Sequence, residues 1–467
     1  MKILPSVTPT PEQLPIISNP RAGVTLIRGA AGSGKTTTAL LMLRQLSDFW
    51  ARRFERAGLD EKPRVLVLTF NRTLQGYIRE LAKSQLSAVD KVELSVSTFG
   101  KWSKTLTAHT DIFDGRNMES LLRRFGQRLP LPPDFVVEEA DYCMGRFLPT
   151  DLPNYVTSRR EGRGISPRMD AGLRQRFLDE VVHPYNEEKK VKNKADWNDL
   201  ALELLDSPPV ETFHVIIADE AQDFSANQLR ALFHHAEDPS SIVFVLDAAQ
   251  RIYPRGCKWA EAGITINRSF RLKENHRNTR QICRFAAPLL NGIEVGDDGT
   301  IPDLSGCKRD GPVPVLLEGK FSGQTKYALD YIARDVDLSK ESVAFLHPKG
   351  GNWFSYLESQ LSDTDKGFEY VDMTRRQEWP TGPANIGLAT MHSGKGLEFD
   401  HVFLLGLNAE MLVHGDEPGD TTLETLRRVL AMAITRARVS VTLGTKPREQ
   451  SDLIAFLEPG TYKRVPV

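Results

Sequence analysis

Gly29-Ala30-Ala31-Gly32-Ser33-Gly34-Lys35-Thr36, entered from the apolar run Val24-Thr25-Leu26-Ile27, constrains this chain more than any other stretch. A strand that ends in glycines and re-enters as a helix aims several backbone N–H groups at one point. Lys35 adds a cation there and Thr36 a hydroxyl, so the point suits a β/γ-phosphate pair and its Mg²⁺. The leucines from Thr37 to Leu46 fall at helical spacing and complete the strand, loop and helix, with Thr37 counted beside Thr36 at the helix start. Such a unit belongs in a parallel sheet with its site at the carboxyl edge.

Other strands of that kind follow. Val65 to Phe70 ends in Phe70-Asn71-Arg72, a surface for a stacked base and a phosphate, or else a core-capping Phe. Val92 to Val96 ends in Ser97-Thr98-Phe99, where hydroxyls suit phosphate oxygens. Val215-Ile216-Ile217-Ala218 runs into Asp219-Glu220-Ala221-Gln222-Asp223: Asp219 is within reach of the metal that Thr36 holds, and Glu220 is placed to polarise an attacking water. Ile242 to Leu246 leads to Gln250, a γ-phosphate sensor, and to Tyr253 and Trp259, flat surfaces for a base. Arg277, in Glu274-Asn275-His276-Arg277-Asn278-Thr279, supplies a guanidinium for γ-phosphate oxygens. Gln13 suits an adenine edge beside the phosphate loop, with a solvated turn as the alternative.

From about 105 to 208 the rhythm breaks into a mostly helical insertion. It carries Arg159, Arg160, Arg163, Arg168, Lys189, Lys190, Lys192 and Lys194, either a face for a phosphate backbone or a solvated charged face. A second sheet domain starts near residue 281, with strands at Val313 to Leu317, Val343 to Leu346, Ile386 to Thr390, Val402 to Leu405 and Val439 to Leu443. Met391 to Asp400 is a polar glycine loop in which His392 and Lys395 suit DNA phosphates and Glu398 a ribose hydroxyl. A helix from Leu426 to Arg438 carries Arg427, Arg428, Arg436 and Arg438, and Arg436 is suited to reach a nucleotide bound on the first domain.

The balance of 60 Lys and Arg against 61 Asp and Glu gives no global sign of a nucleic-acid partner, although a motor gripping a few phosphates needs only local positive charge. Neither a long apolar span nor a secretory leader stands out. The four cysteines lack CxxC spacing, which argues against zinc and a disulfide framework and suggests a reducing, cytoplasmic setting.

Taken in order, the motifs from Gln13 through G-A-A-G-S-G-K-T, T-F-N-R, S-T-F, D-E-A-Q-D, D-A-A-Q-R-I-Y, E-N-H-R-N-T, M-H-S-G-K-G-L-E-F and I-T-R-A-R resemble the superfamily 1 helicases and translocases of the UvrD/Rep type. The resemblance implies an α/β fold of two RecA-like P-loop cores with parallel sheets and a helical insertion in the first: residues 1–104 and 209–280 for the first core, 105–208 for the insertion, 281–467 for the second core. It implies ATP and Mg²⁺ between the cores and single-stranded DNA across them, usually traversed 3′ to 5′. Gln13 then recognises adenine, residues 29–37 bind phosphate and metal, Asp219 holds the metal and Glu220 is the general base. Gln250, Arg277 and Arg436 surround the γ-phosphate, Glu398 touches ribose, and Phe70, Asn71, Thr98, Phe99, Tyr253, Trp259 and His392 lie toward DNA. Two departures stand out. His276 occupies a position where the family usually stacks a tyrosine on adenine. The stretch between the Val343 and Ile386 strands leaves little room for the family's auxiliary domain, so weak strand separation is expected. A nucleotide-operated switch or the regulatory subunit of a nuclease complex is the alternative, with a separately encoded nuclease as partner.

Overall fold

The computed structural model describes residues 9–29, 32–69, 75–76, 79, 91–108, 111–113, 115–160, 167–206, 208–246, 259–293, 307, 309–362, 367–374, 382–414 and 421–467. Near-continuous runs of Val, Ile and Leu bury both faces of a strand, and that pattern needs parallel neighbours with helices above and below. Accordingly β1 (Gly23–Gly29), β2 (Arg64–Thr69), β3 (Glu93–Thr98), β4 (Phe213–Ala218), β5 (Ala236–Leu246) and β6 (Arg268–Leu272) form a parallel sheet in the order β3-β2-β4-β5-β1-β6. The edge strand β6 escapes the sequence reading because only its last residue, Leu272, is buried.

Helix α1 (Lys35–Ala57) is longer than the leucine spacing to residue 46 suggests, because Trp50, Ala51 and Phe54 continue its buried stripe. It stops at Gly58, whose left-handed φ of +67° lets its N–H reach back to the carbonyls of the last turn.

Helices α2 (Phe99–Leu106) and α3 (Trp197–Asp206) bracket the insertion, and Phe99, Trp102, Ala201 and Leu204 share the core of the first sheet. The insertion's separate core is therefore narrower than 105–208. It gathers residues from Phe113 to Tyr185, among them Leu122, Val136, Phe177 and Val181. Its basic clusters are largely spoken for. Arg160 meets the fully buried Glu139 at 2.7 Å, and Lys189 is buried against Asp196 at 2.9 Å and Asp199 at 2.7 Å. Lys190, Lys192 and Lys194 pair with Glu187, Glu188 and Asp111. A face built from these residues to lie along a phosphate backbone is thus corrected: most of the charge is matched by carboxylates of the same subdomain. Arg168 stays exposed, and Arg163 lies outside the described residues.

The second sheet is also parallel, with β7 (Val315–Glu318), β8 (Val343–His347), β9 (Tyr370–Asp372), β10 (Ile386–Thr390), β11 (Phe399–Leu404), β12 (Ala437–Thr445) and β13 (Lys463–Pro466) in the order β13-β7-β12-β11-β8-β10-β9. Two parallel sheets with helices are the two RecA-like α/β cores. Between β8 and β10 the described residues add only the helix Asn352–Ser362 and β9. Helix α4 (Thr421–Ile434) ends earlier than Arg438, so Arg436 lies in the turn beyond it and Arg438 on β12. On α4 itself Arg427 is buried, donates to Leu289 O at 2.9 Å and lies 4.1 Å from the Phe456 ring centre. No helix among the described residues is long and apolar enough to cross a membrane.

Candidate nucleotide site and catalytic centre

The chain leaves β1 at Gly29 and re-enters α1 at Lys35 through Gly34, whose φ of +78° is a conformation that side chains resist. Lys35 Nζ donates to Gly29 O at 2.7 Å, folding the ammonium over the loop. Ser33 Oγ is buried with no hydrogen-bond partner among the described residues, an orphan that a phosphate oxygen would satisfy. Gln13 is buried beside the loop, donating to Gly34 O at 3.3 Å while accepting from Thr10 N at 3.0 Å. Ala30 and Ala31 lie outside the described residues.

Across the sheet, Thr36 Oγ1 donates to Asp219 Oδ2 at 2.9 Å, and Asp219 N is anchored on Leu68 O of β2 at 2.9 Å. Burial, and then the neighbouring Glu220 carboxylate, push Asp219 up to about 7. A hydroxyl beside a buried carboxylate in need of positive charge is a donor pair that fits Mg²⁺. Glu220 adopts a left-handed φ of +54°, uncommon for a residue with a side chain and a mark of local strain. Against the burial that would raise it, Lys395, Lys35 and Arg436 hold the Glu220 carboxyl below its ordinary range. These charges favour the ionised carboxylate, the form in which a carboxyl group can accept a proton.

The second core supplies much of that field. Lys395 Nζ lies 3.7 Å from Glu220 Oε2 and is paired with Asp223, all three side chains being nearly inaccessible. This corrects the reading of Lys395 as a DNA-phosphate contact: it points at the carboxylates of the first core. Arg436 is 1% exposed, with Nε donating to Met432 O at 3.0 Å. Arg277 reaches across to pair with Glu398, so the two residues expected at phosphate and ribose meet each other, and Arg277 Nε is left buried with no hydrogen-bond partner among the described residues. His276, in the position of the expected stacking residue, donates its backbone N–H to Gly32 O at 3.0 Å.

The DNA side is less uniform. His392 is exposed just past the carboxyl end of β10. Trp259 is half-buried with its ring centre 4.7 Å from that of Phe244. Thr98 spends its hydroxyl capping α2, accepting from Lys101 N at 3.3 Å. Phe99 is corrected: its ring is buried against Trp102 and Phe224, which leaves no face for a base. Phe70, Asn71, Gln250 and Tyr253 lie outside the described residues. Two buried amides that the sequence reading passed over, Asn275 and Asn278, flank Arg277; asparagines three apart in a polar loop are a turn signal that would have pointed to them.

Comparison with known proteins places this geometry. Residues 10–271 match the model of the UvrD/REP helicase N-terminal domain, and residues 370–446 that of the UvrD-like helicase C-terminal domain. The ATP-dependent DNA helicase UvrD2 of Mycobacterium tuberculosis is 22% identical over 96% of this chain and 81% of its own length. The exonuclease/helicase subunit RexA of Lactococcus lactis is 26% identical over 51% of this chain, but only 21% of that much longer protein is covered. The ATP-dependent DNA helicase Rep of Salmonella typhimurium is 32% identical over 20% of this chain and 14% of its own length. A solved C-terminal domain of a possible DNA helicase from a Lactobacillus aligns over 40% of this chain and 97% of its own, at 21% identity and a TM-score of 0.30. With the N-terminal model alone spanning more than half of the residues, and with a phosphate loop, an Asp-Glu pair and a second parallel core arranged as described, the chain belongs to the UvrD/Rep helicase family.

Proposed function

We propose that this chain is an ATP-dependent single-stranded DNA translocase of 3′ to 5′ direction that separates long duplexes poorly when alone. The observation that carries the reading is the convergence on Glu220 of Lys35 from its own core and of Lys395 and Arg436 from the other. A base whose ionisation depends on both cores is at its best only when the cleft is closed, which couples hydrolysis to domain movement.

In this reading Thr36 and Asp219 hold Mg²⁺, which when bound supplies charge neutralisation along the phosphates. Lys35 and the loop amides bind the phosphates and Gln13 lies where an adenine edge would be read. Glu220 orients water and takes its proton at the carboxylate. Arg277 exchanges Glu398 for phosphate oxygens, Arg436 adds positive charge from the second core, and Glu398 is freed for ribose. Gln250 is assigned to the γ-phosphate, and Phe70, Asn71, Tyr253, Trp259 and His392 to the strand or its coupling. Unstacked bases suit aromatic surfaces better than duplex edges do, which favours single strands.

The test is ATPase activity with single-stranded against duplex DNA, in the wild type and in Glu220→Gln. Single strands should stimulate more, and E220Q should keep nucleotide binding while losing about a hundredfold or more in turnover. Undiminished turnover in E220Q would remove Glu220 from the mechanism, and greater stimulation by RNA would remove DNA as the track. A second reading, a nucleotide-operated component serving a separate nuclease, draws support from the helicase/nuclease subunits among the relatives. Co-purification of a nuclease from the native host would favour it.

A further inference from the structure

We propose that Asn278 is a positioning residue for ATP hydrolysis, seating Arg436 of the second core in the same hydrogen-bonded frame that holds Arg277 of the first. The proposal rests on the reading of both arginines as phosphate-facing. Asn278 is fully buried, and its amide nitrogen donates to Thr435 O at 2.9 Å and Ala437 O at 2.6 Å. Those two carbonyls belong to the residues on either side of Arg436, so one side chain clamps the turn that carries it. Arg436 lies in the turn past the end of α4, where its own N–H donates to Ala433 O at 3.2 Å and its carbonyl accepts from Phe399 N at 3.0 Å; Asn278 adds the contact from the first core to that turn.

The other side of Asn278 faces the first core. Its Oδ1 accepts from Asn275 Nδ2 at 3.0 Å, while Asn275 Oδ1 accepts from both Arg277 N and Asn278 N at 3.0 Å. The intervening His276 N donates to Gly32 O at 3.0 Å, within the phosphate loop. Hydrogen bonds and the short chain between them thereby connect the phosphate loop, through the Arg277 turn, to the carbonyls of Thr435 and Ala437 beside Arg436. An asparagine amide has two donors and one acceptor oxygen, and here each is used. Serine offers one donor, and an ionised aspartate would turn acceptors toward two carbonyls. Because the donors cross between the cores, the Arg436 seat is complete only when the cores are together. Asn278 therefore ties the placement of the second arginine to closure.

The experiment is steady-state ATPase at saturating single-stranded DNA for wild type, N278A, N278D, R436A and the N278A/R436A double variant, with thermal melting and nucleotide binding measured on each. A group that acts by orienting a charge in the transition state affects kcat more than KM. N278A should lower kcat about tenfold or more, with KM for ATP within about twofold, and N278D should be at least as impaired. In the R436A background, N278A should cost less than about twofold further, because the residue it positions is already gone. If N278A does not fold, N278S replaces it in the same cycle and should show an intermediate kcat. Wild-type kcat in N278A or N278S, or an equal loss in both backgrounds, would overturn the proposal. Wild-type kcat in R436A would instead overturn the underlying assignment of Arg436.

Discussion

Lys395 at 2% side-chain exposure, set between Glu220 and Asp223, shows how one residue is redefined by its partners. In the sequence it is a lysine in a glycine loop, a fair candidate for any phosphate. Buried against two carboxylates it cannot be spared for DNA, since removing one member of a buried charged set costs about 3–5 kcal/mol. His347 makes the same point for stability. It ends β8 with 3% exposure, and its Nδ1 accepts from Lys349 N at 3.2 Å and Gly350 N at 2.9 Å, which requires that nitrogen to be unprotonated. Burial, reinforced by Lys349, lowers its pKa to about 4. A histidine depressed in the folded state contributes stability above its unfolded pKa of about 6.5, and that contribution is lost as pH falls from there toward the folded value. Urea unfolding should therefore show stability declining between roughly pH 6.5 and 4, with a share on the order of 3 kcal/mol from this residue. His347→Asn keeps an acceptor for the two amides but does not titrate, so its pH curve should be flatter. An unchanged slope would assign the acid lability to other groups.

Among the elements, the helical insertion is fastened to the first core by charge as well as by apolar packing. Arg146, at the end of the helix Pro133–Arg146, is paired with Glu261 at 2.9 Å, while Arg230 donates to Arg146 O at 2.8 Å and to Glu261 O at 2.7 Å. Inside the insertion, Glu139 accepts from Arg160 at 2.7 and 2.9 Å and from Tyr155 OH at 2.6 Å. Glu139→Ala strands the guanidinium and the phenol in a dry interior, so it should destabilise the insertion by about 3–5 kcal/mol. Chemical denaturation of the full chain checks this, with nucleotide binding at the phosphate loop expected to survive. A loss below about 1 kcal/mol would mean that the apolar core carries the subdomain without the network. Composition showed a basic stretch here; part of its pairing is local, Lys190 with Glu187 and Lys192 with Glu188, and part depends on carboxylates distant in sequence, Glu139 for Arg160 and Asp111 for Lys194.

For the whole molecule, two parallel cores meet through charged pairs, Arg277 with Glu398 and Lys395 with Asp223, beside the proposed nucleotide site. In the proposed translocase, alternating closure of the cores drives stepping along a strand, whereas unwinding also costs about 1.4 kcal/mol of stacking per base-pair step. Between β8 and β10 there is little beyond one helix and one short strand among the described residues to hold a duplex at a fork. ATP-driven displacement of streptavidin from one DNA end should therefore be efficient, with strand separation of a long tailed duplex by the same preparation slow. Efficient unwinding by the monomer would contradict this, and hydrolysis without displacement from either end would favour the switch.

Elements whose signal is local could be read from the chain directly. A strand buried on both faces must be written in Val, Ile and Leu, and a phosphate loop must be written in glycines with Lys35 and Thr36 at its end; β1, β2, β4, β8 and β10 and the Asp219-Glu220 pair were legible for that reason. The half-buried edge strands β6, β9 and β13 were not, because few of their side chains face a core. Tertiary contact alone settles which charges and amides face one another: Lys395 against Glu220 instead of DNA, Phe99 inside the core, and Asn278 on the carbonyls around Arg436, 157 and 159 residues away. Buried polar groups must find partners wherever the fold brings them, and no local pattern along the chain records a partner so distant.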